Sequence, residues 1–287
     1  MGKVVESLPN SSLSFLCDVS PPRGANLDPL DQAALVDSDF FSIAYSPGKS
    51  VRLDSVTAAH LLRQRSGRDV TFTLACRDMN RLALQSQLLG AQALGLENVV
   101  VVGGDPFIEG ERGAAQAVDD FTPTEFIASI SAMNEGIDYK GIKLPVPTDF
   151  CIGATVDLGR DLVVEAPLAH RKVEAGAHFL MTQTLFDPAQ ATQFLEAYAR
   201  LSGAELAVPV FWGLPVLDKE GLTFGDVPED MANDLKKERA GSEIALDLLK
   251  AFLDRGMNRF YVVPPILKGG RRGYEQARQV VEAARRL

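Results

Sequence analysis

Asp18, Asp105, Asp157, Gln183 and Tyr45 each fall at or just past the end of a short apolar run. Cys76, Arg77 and Asp78 end another, and Lys268, Arg271 and Arg272 follow the last one. Carboxylates accept hydrogen bonds and exchange protons, an amide offers both a donor and an acceptor, and lysine or arginine meets anions. Such a set suits binding a polar heterocycle and moving protons or hydride around it. Glu165, Arg171 and Lys172 cluster on an expected helix.

The same inventory argues against other chemistries. Of His60, His170 and His178, none ends an apolar run and no two have metal-ligand spacing, which disfavours a histidine-bound zinc. No lysine ends any of the first seven runs, so a Schiff-base aldolase lacks its nucleophile. No Gly-x-Ser-x-Gly elbow occurs.

The elements that must position these residues alternate. Runs rich in Val, Ile, Phe and Leu predict strands at 13–17, 40–45, 70–75, 98–102, 150–155, 178–182, 208–213 and 259–263. Helical spacing predicts helices at 55–66, 80–94, 124–133, 163–175, 188–201, 242–255 and 273–286. In 80–94, Asn80 is placed to cap and Gly95 to stop the helix, with leucines near helical spacing between them. The run Asn-Val-Val-Val-Val at 98–102 is apolar on both faces, which belongs in a parallel sheet covered by helices. Eight such units fit a closed barrel or an open doubly wound sheet. No Gly-x-Gly-x-x-Gly follows the first strand, so the expected fold is an α/β single (β/α)8 TIM barrel over residues 1–287. Stretches 107–121 and 216–237 read as long loops after strands four and seven, on the face where barrels carry their chemistry.

Composition agrees. The chain has 287 residues, 46% hydrophobic and 23% charged, enough for one barrel of ~250 residues. A net charge of -9 gives no attraction to nucleic acid or to anionic membrane surfaces. Cys17, Cys76 and Cys151 are odd in number and lie in apolar runs, which suggests reduced core thiols and a cytoplasmic protein. The first residues do not read as a signal peptide, and no run approaches the ~20 apolar residues of a membrane helix.

Taken in order, several segments resemble the methylenetetrahydrofolate reductase family. These are Asp18-Val19-Ser20-Pro21-Pro22-Arg23, Thr73-Leu74-Ala75-Cys76 and Gly103-Gly104-Asp105. The block Lys172-Val173-Glu174-Ala175-Gly176-Ala177 follows, with Thr182-Gln183, Phe186-Asp187 and Gly213-Leu214-Pro215-Val216 after it. The resemblance runs nearly end to end, and the block from Lys172 to Gln183 is its most specific part. It implies reduction of 5,10-methylenetetrahydrofolate to 5-methyltetrahydrofolate, with NADH or NADPH as hydride donor and FAD between them.

By that resemblance Asp105 meets the pterin's amino and ring N–H groups and sits beside the flavin, while Gln183 and Phe224 face the folate. Tyr45, Thr73, Glu165 and Lys172 lie on the cofactor side. Asp18 stands where the family has its catalytic glutamate, one methylene shorter. The family's histidine on strand three is Thr73 here, its arginine before Gly-Asp is Gly103, and its Tyr-Pro-Glu-x-His is replaced by Thr155-Val156-Asp157-Leu158-Gly159. These changes remove cationic contacts to a diphosphate. The Gly-rich turn with Lys268 and Arg271 is a candidate substitute cradle. Two alternatives stay open: direct hydride transfer from the nicotinamide without flavin, and a folate-binding subunit working beside a partner protein. A homo-oligomer is open too.

Overall fold

Parallel strands covered on both sides must be apolar on both faces, and the chain obeys this. In the computed structural model, which describes residues 2–8, 13–111, 114–222 and 226–287, the strands are β1 Ser14–Val19, β2 Phe40–Ile43, β3 Asp69–Ala75, β4 Asn98–Val102, β5 Cys151–Val156, β6 Phe179–Thr184, β7 Val210–Pro215 and β8 Arg259–Val263. They pair in sequence order, all parallel, and β8 closes on β1 with Tyr261 opposite Leu16. The barrel expected from the sequence is therefore the fold.

Alternation along each strand sorts side chains into two cores. Phe15, Cys17 and Val19 point outward to the helices, in one core with Phe41, Phe72 and Val99. Leu16, Phe40, Val100, Cys151, Phe179, Met181 and Phe211 fill the barrel axis. Gly153 makes room for this plug, since a Cβ there would lie 2.3 Å from the Phe179 ring. Residues 2–8 close the amino-terminal end: Val4 joins the axial core, and its N–H donates to Asn98 Oδ1 at 2.8 Å.

The helices are α1 Asp28–Ala33, α2 Ser55–Ser66, α3 Arg81–Ala93, α4 Pro123–Asn134, α5 Leu162–Glu174, α6 Ala189–Ser202, α7 Glu229–Lys236, α8 Gly241–Leu253 and α9 Tyr274–Ala284. Several begin at side-chain caps that end the preceding loop. Asp54 accepts from Val56 N and Thr57 N, Asn80 from Ala83 N, and Thr122 forms a capping box with Glu125. Two helices were not predicted. α1 is six residues long, and α7, inside the expected loop 216–237, buries none of its side chains. Neither has an apolar stripe long enough to read. Stretch 107–121 is irregular apart from a 3-10 turn at Glu109–Glu111. Among the described residues, no helix is long and apolar enough to cross a membrane.

Candidate active site at the carboxyl ends of the strands

The loops after β2, β4 and β5 and the first turns of α5 surround a cavity of about 800 Å³. Tyr45, Asp105, Glu165, Lys172 and Gln183 all line it, together with Gly103, Asp157, Arg160 and Arg171. Five residues picked from sequence thus converge on one space.

Asp105 is carried by a turn that only glycine permits. Gly104 has φ of +90°, and a Cβ there would lie 2.9 Å from that of Arg77. Arg77 Nη1 donates to the Asp105 carbonyl at 2.7 Å, while its Nε and Nη2 grip Asp78 in a two-pronged ion pair at 2.6 Å. The backbone of Asp105 is held and its carboxylate is left exposed to the cavity. Tyr45 is half-buried, and burial together with Asp78 pushes its phenol up to about 12, so it enters the cavity protonated.

Glu165 and Lys172 lie two turns apart on α5, whose start is capped by Asp161 accepting from Val163 N. Both side chains are buried, and their charged atoms are 3.9 Å apart. Lys172 Nζ donates to the Thr155 carbonyl at 2.7 Å. Burial lowers the lysine pKa, and the Glu165 carboxylate opposes that shift. Glu165 Oε1 accepts from Asp157 N at 3.1 Å, but Oε2 accepts no hydrogen bond among the described residues. An orphaned carboxylate oxygen at a cavity wall is a vacant acceptor for a ligand hydroxyl or N–H.

Gln183 is aimed by a break in register. β6 pairs Met181 with Phe211 and then Thr184 with Gly213, so the strand bulges at Thr182–Gln183. Thr182 Oγ1 stabilises the bulge by accepting from Gly213 N at 2.8 Å and donating to the Gln183 carbonyl at 2.9 Å. A Cβ on Gly213 would lie 2.1 Å from that carbonyl. The bulge leaves the amide side chain exposed at the mouth.

Other expected site residues lie elsewhere. Asp18 is buried at 2% exposure and does not line the cavity. Tyr261 donates its hydroxyl to Asp18 Oδ1 at 2.6 Å, and the Arg272 guanidinium pairs with Oδ2. Arg272 also donates to Ser20 Oγ at 2.9 Å and to the Pro264 carbonyl at 2.8 Å. Burial and Asp18 raise the Tyr261 phenol well above its usual value. Thr73 is buried beneath the mouth on β3, outside the cavity lining, as are the exposed Lys268 and Arg271. The Gly-rich turn therefore spends one of its cations, Arg272, on β1. Phe224 lies outside the described residues. Cys17, Cys76 and Cys151 are buried and unpaired, and burial pushes the Cys151 thiol up to about 11.

Arg160 carries no mark in the sequence as a site residue, yet it lines the cavity with Nη1 4.0 Å from Glu165 Oε2. Its signal was position: it falls in the loop between a strand end and a helix that carries two charged cavity residues.

A model of the methylenetetrahydrofolate reductase family matches residues 6–263. Methylenetetrahydrofolate reductase 2 of Schizosaccharomyces pombe is 21% identical over 282 residues, which cover 90% of this chain and 44% of that protein. The chain thus spans less than half the length of that relative. Among solved structures, an uncharacterized protein from Clostridium thermocellum that binds two copies of 5-methyl-5,6,7,8-tetrahydrofolic acid superposes with a TM-score of 0.67 at 14% identity, over 96% of this chain and 97% of that one. The superposition establishes the shared fold.

Proposed function

The chain belongs to the methylenetetrahydrofolate reductase family, and from that premise we propose that it binds a reduced folate in the 800 Å³ cavity and reduces it at the expense of NADH or NADPH. One observation carries this reading: Asp105 and Gln183 face the same space from β4 and β6, with Glu165 and Lys172 on its wall. A carboxylate accepts from two parallel N–H donors, as the amino and ring N–H of a pterin present them, and an amide alongside reads one donor and one acceptor. That the similar Clostridium thermocellum protein binds a methylated tetrahydrofolate makes this ligand class the first to try.

The cavity walls also suit a flavin. The orphaned Glu165 Oε2 accepts from a hydroxyl of a ribityl chain, and the Lys172 ammonium serves a hydroxyl or phosphate oxygen. A bound flavin would supply the hydride relay between nicotinamide and folate. Asp105 would orient the pterin, and Tyr45, held protonated, would donate a hydrogen bond to whatever occupies the cavity beside it.

A second reading, folate binding without independent reduction, is favoured by the state of Asp18. Both oxygens of its carboxylate already accept hydrogen bonds, from Tyr261 and Arg272, so it has no proton poised for a ligand. Two measurements on the isolated chain decide. Titration with 5-methyltetrahydrofolate tests binding, and failure to bind at millimolar ligand would sink both readings. Oxidation of NADH or NADPH on adding methylenetetrahydrofolate then separates them, since turnover supports the reductase and binding without turnover supports the second.

A further inference from the structure

The loop after β4 leaves the first cavity and returns to the start of α3, and Arg77 clamps both of its arms. On the outgoing arm Arg77 Nη1 donates to the Asp105 carbonyl; on the returning arm Val118 N donates to the Arg77 carbonyl, each at 2.7 Å. Lys49, from the loop after β2, ties the tip through Glu111 at 2.6 Å and the Pro106 carbonyl at 3.2 Å. Between the arms lies a second cavity of about 530 Å³, which shares Arg77 and Gly104 with the first.

The walls of this slot select by shape and charge. The Phe107 ring lies over the Arg77 guanidinium, 4.5 Å from its carbon to the ring centroid, and Phe107 also lines the slot. A ring stacked there would extend the pile that the guanidinium begins. Arg77 offers nothing to an anion, because Nε and Nη2 are spent on Asp78 and Nη1 on Asp105. The slot's own charged group beyond Arg77 is Asp119, a carboxylate, with the Gln116 amide beside it. Phosphates and carboxylates are repelled; a donor such as an amino group is welcomed.

We propose that this slot binds an uncharged planar heteroaromatic ring bearing an exocyclic amino group, stacked on Phe107 with the amino group donating to Asp119. The inference goes beyond the folate reading of the first cavity and does not depend on it. A pterin and an adenine both have this chemistry, and the test distinguishes them.

The full chain is titrated by calorimetry with adenosine and with 6-methyltetrahydropterin, neither of which carries a phosphate or a carboxylate. Wild type should bind one of them. Phe107→Ala should weaken that binding about tenfold, the scale of one lost base–aromatic stack. Asp119→Asn should weaken it several-fold. Asp119 is exposed with φ of +48°, which asparagine tolerates, so that variant folds. A loss on adenosine identifies a nucleotide as the source of the ring, and a loss on the pterin identifies a folate. Failure of both compounds to bind, or binding indifferent to both substitutions, overturns the slot. A loss at Phe107 with none at Asp119 overturns the assignment to an amino-bearing ring.

Discussion

Asp18 at the end of β1 and Arg272 in the turn after β8 are 254 residues apart in the chain and joined in a buried ion pair, with side-chain exposures of 3% and 5%. The pair ties the closing strand of the barrel to the first at the catalytic end. A buried charge deprived of its partner costs ~3–5 kcal/mol, whereas replacing both partners by apolar groups is often near neutral. Arg272→Met should therefore lower the unfolding free energy in urea by ~3–5 kcal/mol. Adding Asp18→Leu should restore a good part of the loss. An Arg272→Met midpoint equal to wild type would mean that the pair contributes nothing.

Asp18→Asn separates structure from chemistry at the same place. Asparagine keeps an acceptor for Tyr261 and gives up the charge facing Arg272, so the variant should be less stable but still folded. Folate affinity should be nearly unchanged, since Asp18 does not line the cavity. If the chain reduces methylenetetrahydrofolate through Asp18, turnover disappears while binding persists. Wild-type turnover in Asp18→Asn would remove Asp18 from the reaction.

Gln183 and Gly213 make a linked prediction. Gln183→Ala removes an exposed amide and should leave stability alone while weakening 5-methyltetrahydrofolate binding about tenfold, the value of one or two neutral hydrogen bonds. Gly213→Ala places a methyl group 2.1 Å from the Gln183 carbonyl. The backbone of the bulge cannot yield as a side chain would, so the cost should be at least about 3 kcal/mol, with folate affinity lost as well. Equal folate affinity in wild type and Gln183→Ala would show that the amide does not face the ligand.

The barrel was legible because its signals are local. Apolar runs of strand length alternate with capped helical stretches, and the valine run of β4 requires a sheet covered on both faces. α7 was not, because a helix that buries nothing leaves no periodic trace. The site was legible in part. Asp105, Gln183, Glu165, Lys172 and Tyr45 were found from strand ends and family resemblance, and they share a cavity. The fate of Asp18 was not readable, since the cation that captures it belongs to a Gly-Gly-Arg-Arg turn that reads as an anion cradle. Nor was the bulge that aims Gln183, because register is a property of two strands and β6 alone carries no mark of it.

His178 gives a pH test at the opposite end of the barrel. Its side chain is exposed, yet Nδ1 accepts the Ile152 N–H at 2.9 Å, a bond that only the neutral ring can make. Burial of that nitrogen, with Lys3 nearby, lowers the imidazole pKa below 6.5. The unfolded chain then binds more protons than the folded one just below that value, so stability present at neutral pH is lost as pH falls through 6.5 toward the folded pKa. His178→Asn keeps an acceptor that does not titrate. Urea midpoints measured between neutral and mildly acidic pH should fall less steeply in His178→Asn than in wild type; parallel curves would show that the imidazole stays unprotonated or uncoupled.

The orphaned oxygen of Glu165 predicts a trade between stability and binding. Without a ligand, a buried carboxylate with one unpartnered oxygen is a burden on the fold, partly offset by Lys172 at 3.9 Å. A ligand hydroxyl donating to Oε2 would relieve it, and a charge-assisted bond of that kind contributes ~1.5–3 kcal/mol. The purified chain is incubated with FAD, desalted, and examined for the visible absorption of bound flavin, with wild type and Glu165→Ala in parallel. If the cavity takes FAD, wild type retains the colour and Glu165→Ala binds at least about tenfold more weakly, as that bond energy requires. Colour retained equally by both would show that Glu165 does not hold the flavin. No colour in wild type would remove FAD from the cavity, and the hydride from NADH or NADPH would then have to reach the folate directly.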